Sequence, residues 1–115
     1  MSNILIIKRT LKELGVSPSL KGYYYLVDAV EATIVDRSKL TSICKGLYTD
    51  IAVNHQTKYS AVERCIRDAI VNSYTHAPLA NIERVFCNTL LPGRDVPTNK
   101  QYIATVADYI RDNLL

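Results

Sequence analysis

Apolar residues recur along most of the chain at intervals of three and four positions, the period of an α-helix that buries one face. Polar segments and segments with proline or glycine interrupt this pattern, and no stretch alternates in the way that is typical of a strand. The pattern predicts six helices: from Ser2 or Asn3 to Gly15, from Ser17 to about Val35, from about Lys39 to Val53, from about residue 58 to 75, a shorter one that begins at Asn81 and extends toward Leu90, and a last one capped by Thr98 or Asn99. The fold class that follows is an all-α domain.

The fourth predicted helix has the clearest division into two faces. On a helical wheel, one arc is apolar and the opposite arc is polar and carries two arginines. The apolar arc consists of Val62, Cys65, Ile66, Ala69, Ile70 and Ser73. The opposite arc contains Ser60, Arg64, Arg67 and Val71. The arginine face is therefore available to contact a partner, and we interpret the segment as a DNA recognition helix.

The segment before this helix predicts a helix-turn-helix motif. The third helix ends with Ile51 and Ala52, and the polar connection 54–57 separates it from the fourth. Two helices joined by so short a turn are typical of this motif. The small residue lets the second helix cross the first closely, and we expect Val62 and Cys65 to pack against the pair. The glycine that is often found in the turn is missing.

Two residues compete as the cap of the fourth helix. Ser60 with Glu63 has the capping-box pattern, whereas Thr57 would start the helix one turn earlier. We favour Thr57, because the Glu63 carboxylate then stays available to reach a base or to pair with Arg67. A solvated ion pair between Glu63 and Arg67, which stabilises a helix by only about 0.3–0.5 kcal/mol, explains the pattern equally well.

Length and charge limit the classes of function. A chain of 115 residues can bury one core, so we interpret residues 1–115 as a single domain, with no room for a sensor beside an effector. The net charge of +3 permits binding to a phosphate backbone without requiring it. The apolar N-terminal run is too short for a membrane span and lacks the flanking signals of a leader, so we predict neither export nor a membrane anchor.

The cysteines indicate a reducing compartment. Cys44, Cys65 and Cys87 are odd in number, far apart and each within an apolar helical pattern, which predicts reduced core thiols in a cytoplasmic protein. A cysteine enzyme would need one of them beside a histidine, and no glycine-rich phosphate loop is present in the sequence. We therefore predict that the protein is not an enzyme and that it has no metal site and no cofactor.

Three consecutive tyrosines, Tyr23, Tyr24 and Tyr25, suggest a surface on which bases stack. Consecutive helix positions point in different directions, however, and cannot form one platform. Packing of these rings in the core, with one or two hydroxyls at the surface, is the favoured interpretation.

Four groups of residues spread over the chain match the pattern of one known family. They are Lys21-Gly22-Tyr23 with Tyr25-Leu26, Leu47-Tyr48-x-Asp50-Ile51-Ala52, Ser60-x-Val62-Glu63-Arg64-x-Ile66-Arg67-x-Ala69-Ile70, and Pro97-Thr98-Asn99 followed by Tyr102-Ile103-Ala104-x-Val106-Ala107-Asp108. Each group is a weak signal by itself, but together they are highly specific. From Leu14 to Arg111 the chain resembles the DNA-binding effector domain of the stage-zero master response regulator of endospore formation in Gram-positive bacteria.

The resemblance implies a six-helix fold whose third and fourth helices form the helix-turn-helix. It implies binding to TGTCGAA-like boxes in double-stranded promoter DNA, often as head-to-tail pairs on tandem boxes. It also implies that the region of the fifth helix contacts the RNA polymerase sigma subunit during activation. The expected partners are therefore promoter DNA, a second copy of the domain, and the sigma subunit.

The resemblance also implies which residues contact DNA. Glu63, Arg64 and Arg67 match residues on the family's DNA face, where an arginine pairs with guanine or neutralises a phosphate and a glutamate accepts from cytosine. Three further residues are expected at backbone phosphates: Thr57, Lys58 and Ser60.

Two features depart from the family pattern. Ala61 stands where the family usually has a base-reading arginine, and the loss of a bidentate pair costs about 1–3 kcal/mol of discrimination. The family also joins this domain to an N-terminal receiver that restrains it, and the residues before Leu14 are too few for one. We therefore expect either an excised effector domain or a free-standing relative that binds without phosphorylation or competes with the full regulator.

Ala61 favours one alternative function. A relative of the same fold that has weakened or lost its DNA specificity would be a protein-interaction module, acting on RNA polymerase or on the full-length regulator. Loss of salt-dependent DNA affinity would support this alternative.

Overall fold

Six α-helices pack around one apolar core within residues 3–87 and 96–115, which are the residues that the computed structural model describes. The helices are α1 (Asn3–Glu13), α2 (Lys21–Val35), α3 (Thr49–Asn54), α4 (Tyr59–His76), α5 (Leu79–Phe86) and α6 (Asn99–Asn113). A 3₁₀ turn, Arg37–Leu40, and a π-helical turn, Ile43–Tyr48, lead from α2 to α3. These ranges contain no strand, so the predicted all-α fold with six helices is confirmed. No helix within them is both long and apolar enough to cross a membrane.

The central helix is α2, which packs against α1, α3, α4 and α6. More than half of its residues are buried. Its backbone approaches α4 closely at Gly22, where an added Cβ would lie 2.1 Å from the Cys65 carbonyl oxygen and 2.8 Å from the Ala69 Cβ. The two helices can therefore touch at this point only because Gly22 has no side chain.

The tyrosines at the start of α2 pack as predicted. Tyr23 and Tyr25 are buried, whereas Tyr24 is 46% exposed. The rings of Tyr23 and Tyr24 are nearly perpendicular, with an interplanar angle of 86°. The Tyr23 hydroxyl donates a 3.4 Å hydrogen bond to the Lys8 carbonyl. Core packing is confirmed, and the three rings form no stacking platform.

The predicted start of the second helix at Ser17 is wrong, because α2 begins at Lys21. The Ser17 hydroxyl lies 2.7 Å from the Ser19 hydroxyl and accepts from the Ser19 amide at 3.3 Å. The Leu20 amide donates to the Ser17 carbonyl at 3.1 Å. Ser17 therefore closes a turn of its own instead of capping a helix.

The third predicted helix is also shorter and less regular than expected from its start at Lys39. The Asp36 side chain accepts from the Ser38 amide and caps the 3₁₀ turn, and the chain re-enters a helical conformation only at Ile43. From there the Leu47 amide bonds the Ser42 carbonyl, five residues back, at 3.4 Å. This wider π-helical turn precedes the regular α-helix of the motif.

The prediction that all three cysteines lie in the core is wrong for two of them. Cys44 and Cys87 are exposed, and Cys65 is partly buried. Cys44 lies in the π-helical turn, where the number of residues per turn differs from the α-helical period on which its inward position was predicted. Cys87 follows the last residue of α5 in a left-handed conformation, φ 49°, so the helical period no longer applies to it.

The remaining helix ends differ little from expectation. Thr98 caps α6 through a capping box with Gln101, as the first of the two proposed caps. The fifth helix begins at Leu79, two residues before the predicted Asn81. Ser2 and Leu90, which entered the predictions for the first and fifth helices, lie outside the described residues.

Gly22→Ala is expected to lower the free energy of unfolding by about 1–3 kcal/mol, because the methyl group overlaps the Cys65 carbonyl and forces α2 and α4 apart. Urea-induced unfolding followed by circular dichroism measures the change. Gly46→Ala is the matched control: apart from its chain neighbours and the backbone of its own helical turn, the nearest described atom to an added Cβ is the Ser42 Cβ, 3.8 Å away. Equal effects of the two substitutions would contradict the close approach at Gly22.

Candidate nucleic-acid interface

The turn between α3 and α4 places a glutamine where a glycine is usual. Gln56 has φ 55°, its amide donates to the Val53 carbonyl at 3.3 Å, and the Thr57 amide donates to the Ala52 carbonyl at 2.9 Å. These two bonds form a Schellman motif, which ends a helix through one left-handed residue. Because glycine adopts that conformation with the least strain, its absence concealed the turn geometry in the sequence.

The packing of α3 on α4 follows the prediction for a helix-turn-helix. Ile51, Ala52 and Val62 are buried, and the two helices are in contact. Cys65 is only partly buried, and its carbonyl faces Gly22 of α2. The predicted motif, formed by the third and fourth helices, is confirmed.

His55 connects the turn to the central helix. Its Nε2 lies 2.6 Å from a carboxylate oxygen of Asp28, and its ring packs edge-on against Tyr25 with the centroids 5.0 Å apart. Both partners belong to α2. The start of the turn is therefore held against the core, which fixes the direction in which α4 leaves it.

Neither of the two residues predicted to cap α4 lies at its N-cap position. The N-cap position of α4 is Lys58, which makes no side-chain capping bond, and its carbonyl accepts from the amides of Ala61 and Val62 at 3.0 and 3.1 Å. Thr57 is part of the preceding Schellman motif, so it belongs to the turn rather than to the helix. Ser60 is already the second helical residue.

The exposed face of α4 carries most of the predicted DNA contacts. Ser60, Glu63 and Arg64 are exposed, and Arg67 is partly buried. Within the turn, Lys58 is exposed and Thr57 is partly buried, as is Ala61 on the helix. The opposite face is buried at Val62, Ile66, Ala69, Ile70 and Ser73. The division of the helix into two faces is as predicted, with Cys65 as the partly buried exception.

Arg67 does not pair with Glu63, although they are spaced for an i,i+4 ion pair and both lie among the described residues. Its Nη1 donates instead to the Pro97 carbonyl, at 2.5 Å, just before α6. In the other direction, the Asn99 side-chain amide donates to the Glu63 carbonyl at 3.2 Å. Two hydrogen bonds therefore join α4 to the start of α6, one donated by a side chain of each.

A groove of about 580 Å³ lies beside these contacts. Its walls come from the π-helical turn, from α4 and from the segment that starts α6, and they include Tyr48, Arg64, Asp68 and Asn99. Burial raises the pKa of Tyr48 to about 12, although the neighbouring Asn99 side chain partly opposes this rise. Tyr48 is therefore neutral at physiological pH and adds no charge to the groove.

A family model described as the C-terminal part of the sporulation initiation factor Spo0A matches residues 7–110. The chain belongs to this family. Spo0A C-terminal domains are DNA-binding effector domains of a regulator and not a family of enzymes. The resemblance found in the four groups of residues between Leu14 and Arg111 is confirmed by this match, which covers nearly the whole chain.

The contacts that join α4 to the start of α6 were not predicted from the sequence. Pro97 and Asn99 belong to one of the residue groups that carry the family resemblance, but the only role predicted for either was that of Asn99 as an alternative cap of the last helix. Asn99 lies 36 positions from Glu63. A partner so distant in sequence leaves no periodic signal, so the sequence indicated a helix cap in this segment and a family resemblance but no contact with α4.

Tyr48, which is buried, and Tyr74, which is partly buried, make the stability of the fold depend on alkaline pH. Burial raises the pKa of both Tyr48 and Tyr74 to about 12, whereas an unfolded tyrosine titrates near 10. Their contribution to the unfolding free energy is complete below about pH 10, and it is lost as the pH rises through the pKa that these tyrosines have in the folded state. We expect urea unfolding at pH 9–12 to show this fall and Tyr48→Phe to make it shallower. An equal change in the control Tyr24→Phe, at an exposed ring, would contradict the assignment.

Proposed function

We propose that this domain is a sequence-specific transcription regulator that inserts α4 into the major groove of double-stranded promoter DNA. The observation that carries the proposal is the exposed row of Ser60, Glu63 and Arg64 on a helix whose opposite face is buried. The major groove admits an α-helix, and such side chains recognise base edges there. Membership in a family of DNA-binding effector domains supports the same function.

Arg64 is the main base-reading residue of the proposal, because its exposed guanidinium can form a bidentate pair with guanine O6 and N7. Glu63 can accept a hydrogen bond from cytosine N4. Arg67 uses one N–H on the Pro97 carbonyl, and its other donors serve guanine or a phosphate. The residues proposed for backbone phosphates are Thr57, Lys58 and Ser60.

The proposed target is a TGTCGAA-like box. Pairs of the domain are proposed to bind head-to-tail on tandem boxes. Residues 1–115 are proposed to act as one domain, in the cytoplasm. During activation, α5 is the proposed contact for the RNA polymerase sigma subunit. Leu79, Glu83 and Arg84 of α5 are exposed, which supports an interaction on that helix.

Arg64→Ala is expected to lower the affinity for a TGTCGAA duplex by about tenfold or more, because one bidentate arginine–guanine pair discriminates by roughly 1–3 kcal/mol. Its affinity for a scrambled duplex should fall much less. Fluorescence anisotropy with both duplexes, across a series of salt concentrations, measures the two affinities and their salt slopes.

The control for lost charge is Arg9→Ala, which removes an exposed arginine from α1. It should leave the preference for the box unchanged. Equal and weak binding of the unsubstituted chain to both duplexes would overturn the proposal. That result would favour the alternative function, a protein-interaction module, which the presence of Ala61 also favours.

Ala61→Arg is expected to strengthen binding to the box by about tenfold, because it restores the base-reading arginine that the family usually has next to the serine. Ala61→Lys is the matched control, since it adds the same charge without the planar fork that makes two parallel bonds. The lysine variant should tighten binding to both duplexes alike. An arginine variant that also gains equally on both would show that position 61 does not read a base.

A further inference from the structure

The recognition helix and the start of α6 hold each other through reciprocal bonds. On α4, the Arg67 side chain donates to the main-chain carbonyl of Pro97. On α6, the Asn99 side chain donates to the main-chain carbonyl of Glu63. Each side chain thus binds the backbone of the other element. A pair of this kind restrains both the height of α4 along its axis and its rotation.

The start of α6, which makes these two bonds, is itself held in a fixed conformation. Thr98 accepts from the Gln101 amide at 3.1 Å, and the Gln101 side chain accepts from the Thr98 amide at 2.9 Å, so the capping box is closed on both sides. The first turn of α6 therefore has a fixed conformation. Beyond it, α6 packs into the core through Tyr102 and Ile103.

Asn99 itself is not available to read DNA. It is partly buried, its amide nitrogen is used on the Glu63 carbonyl, and its Oδ1 is inaccessible. Within the described residues this Oδ1 accepts no hydrogen bond, so burying it carries a cost in free energy. Asn99 therefore acts through the backbone that it binds.

We infer that Asn99 is a positioning residue that sets DNA specificity without touching DNA, by fixing the turn of α4 that presents Glu63 and Arg64. The inference rests on the function proposed above. A bidentate arginine–guanine pair needs both N–H groups aligned at once, so a small displacement of this turn weakens it. Contacts with phosphates tolerate such a displacement, because charge attraction depends weakly on angle. Asn99 thus governs the preference for the box rather than general affinity for DNA.

The test is Asn99→Asp in the full chain, which removes the amide donor at nearly constant size. A carboxylate in the first turn of α6 is favourable for the helix, whereas its desolvation at this inaccessible position is not, so the retained fold of each variant is checked by urea unfolding followed by circular dichroism. We expect the ratio of affinities for the TGTCGAA and scrambled duplexes to fall about three- to tenfold, the effect of one lost hydrogen bond. The salt slope should stay as in the unsubstituted chain. Asn99→Ala, which adds no charge, should lower the ratio in the same way.

Asn113→Asp is the charge-matched control. Asn113 also donates to a main-chain carbonyl, that of Tyr109 at 3.0 Å, but at the other end of the same helix, about 20 Å along the axis from Asn99. It should leave the affinity ratio unchanged. Amide hydrogen exchange in the free protein provides a second readout: the amides of residues 63–67 should exchange faster in Asn99→Asp than in Asn113→Asp.

An unchanged affinity ratio in both Asn99 variants would overturn the inference. A lowered ratio with faster exchange throughout the core would also overturn it, because general loosening of the fold would then explain the result. Equal binding of the unsubstituted chain to both duplexes would instead defeat the proposed function, and the role of Asn99 in specificity with it. That failure is recognised before any variant is made.

Discussion

The structure depends on the contact between α2 and α4 at Gly22. A Cβ at this position would come within 2.1 Å of the Cys65 carbonyl oxygen, so the two backbones lie too close for any side chain between them. Three other helices pack around this pair, α1 and α6 against α2 and α3 against α4. Once one face of α4 is committed to α2 in this way, the position of its opposite face follows. The exposed arginine face is thus a consequence of core packing and not a separate feature.

In addition to that contact, α4 is restrained on both sides of the exposed segment that carries Ser60, Glu63 and Arg64. Before the helix, the Schellman turn at Gln56 and the His55–Asp28 pair hold the approach of the chain. One to two turns into it, Arg67 and Asn99 attach the helix to the start of α6. The restraints are polar because they lie outside the apolar core, where hydrogen bonds supply direction that dispersion contacts lack. A helix held only by its buried face could still slide or rotate slightly.

Periodicity in the sequence was enough to predict six helices and the two faces of α4, because α4 is long, regular and buried on one side. It failed where the backbone leaves the α-helical period: at Cys44 in the π-helical turn and at Cys87 beyond α5. Local rules for caps failed at Thr57, because the Schellman bond to Ala52 makes that residue part of the turn. The contact of Asn99 with Glu63 was beyond both methods, since it exists only after the tertiary fold has formed.

Under the proposed function, rigid positioning has a particular value in a recognition helix that carries Ala61. With one arginine fewer than the pattern of the family that the chain resembles, each of the proposed base contacts would account for a larger share of the discrimination between sequences. Ordering a flexible side chain at an interface costs about 0.5–1.5 kcal/mol, a cost that is avoided when the side chain is already oriented in the free protein. Arg67 is oriented in this way by the Pro97 carbonyl, at the expense of one of its five N–H donors. A domain with few reading residues therefore gains more from a fixed helix than from additional charge, which would strengthen binding to all sequences alike.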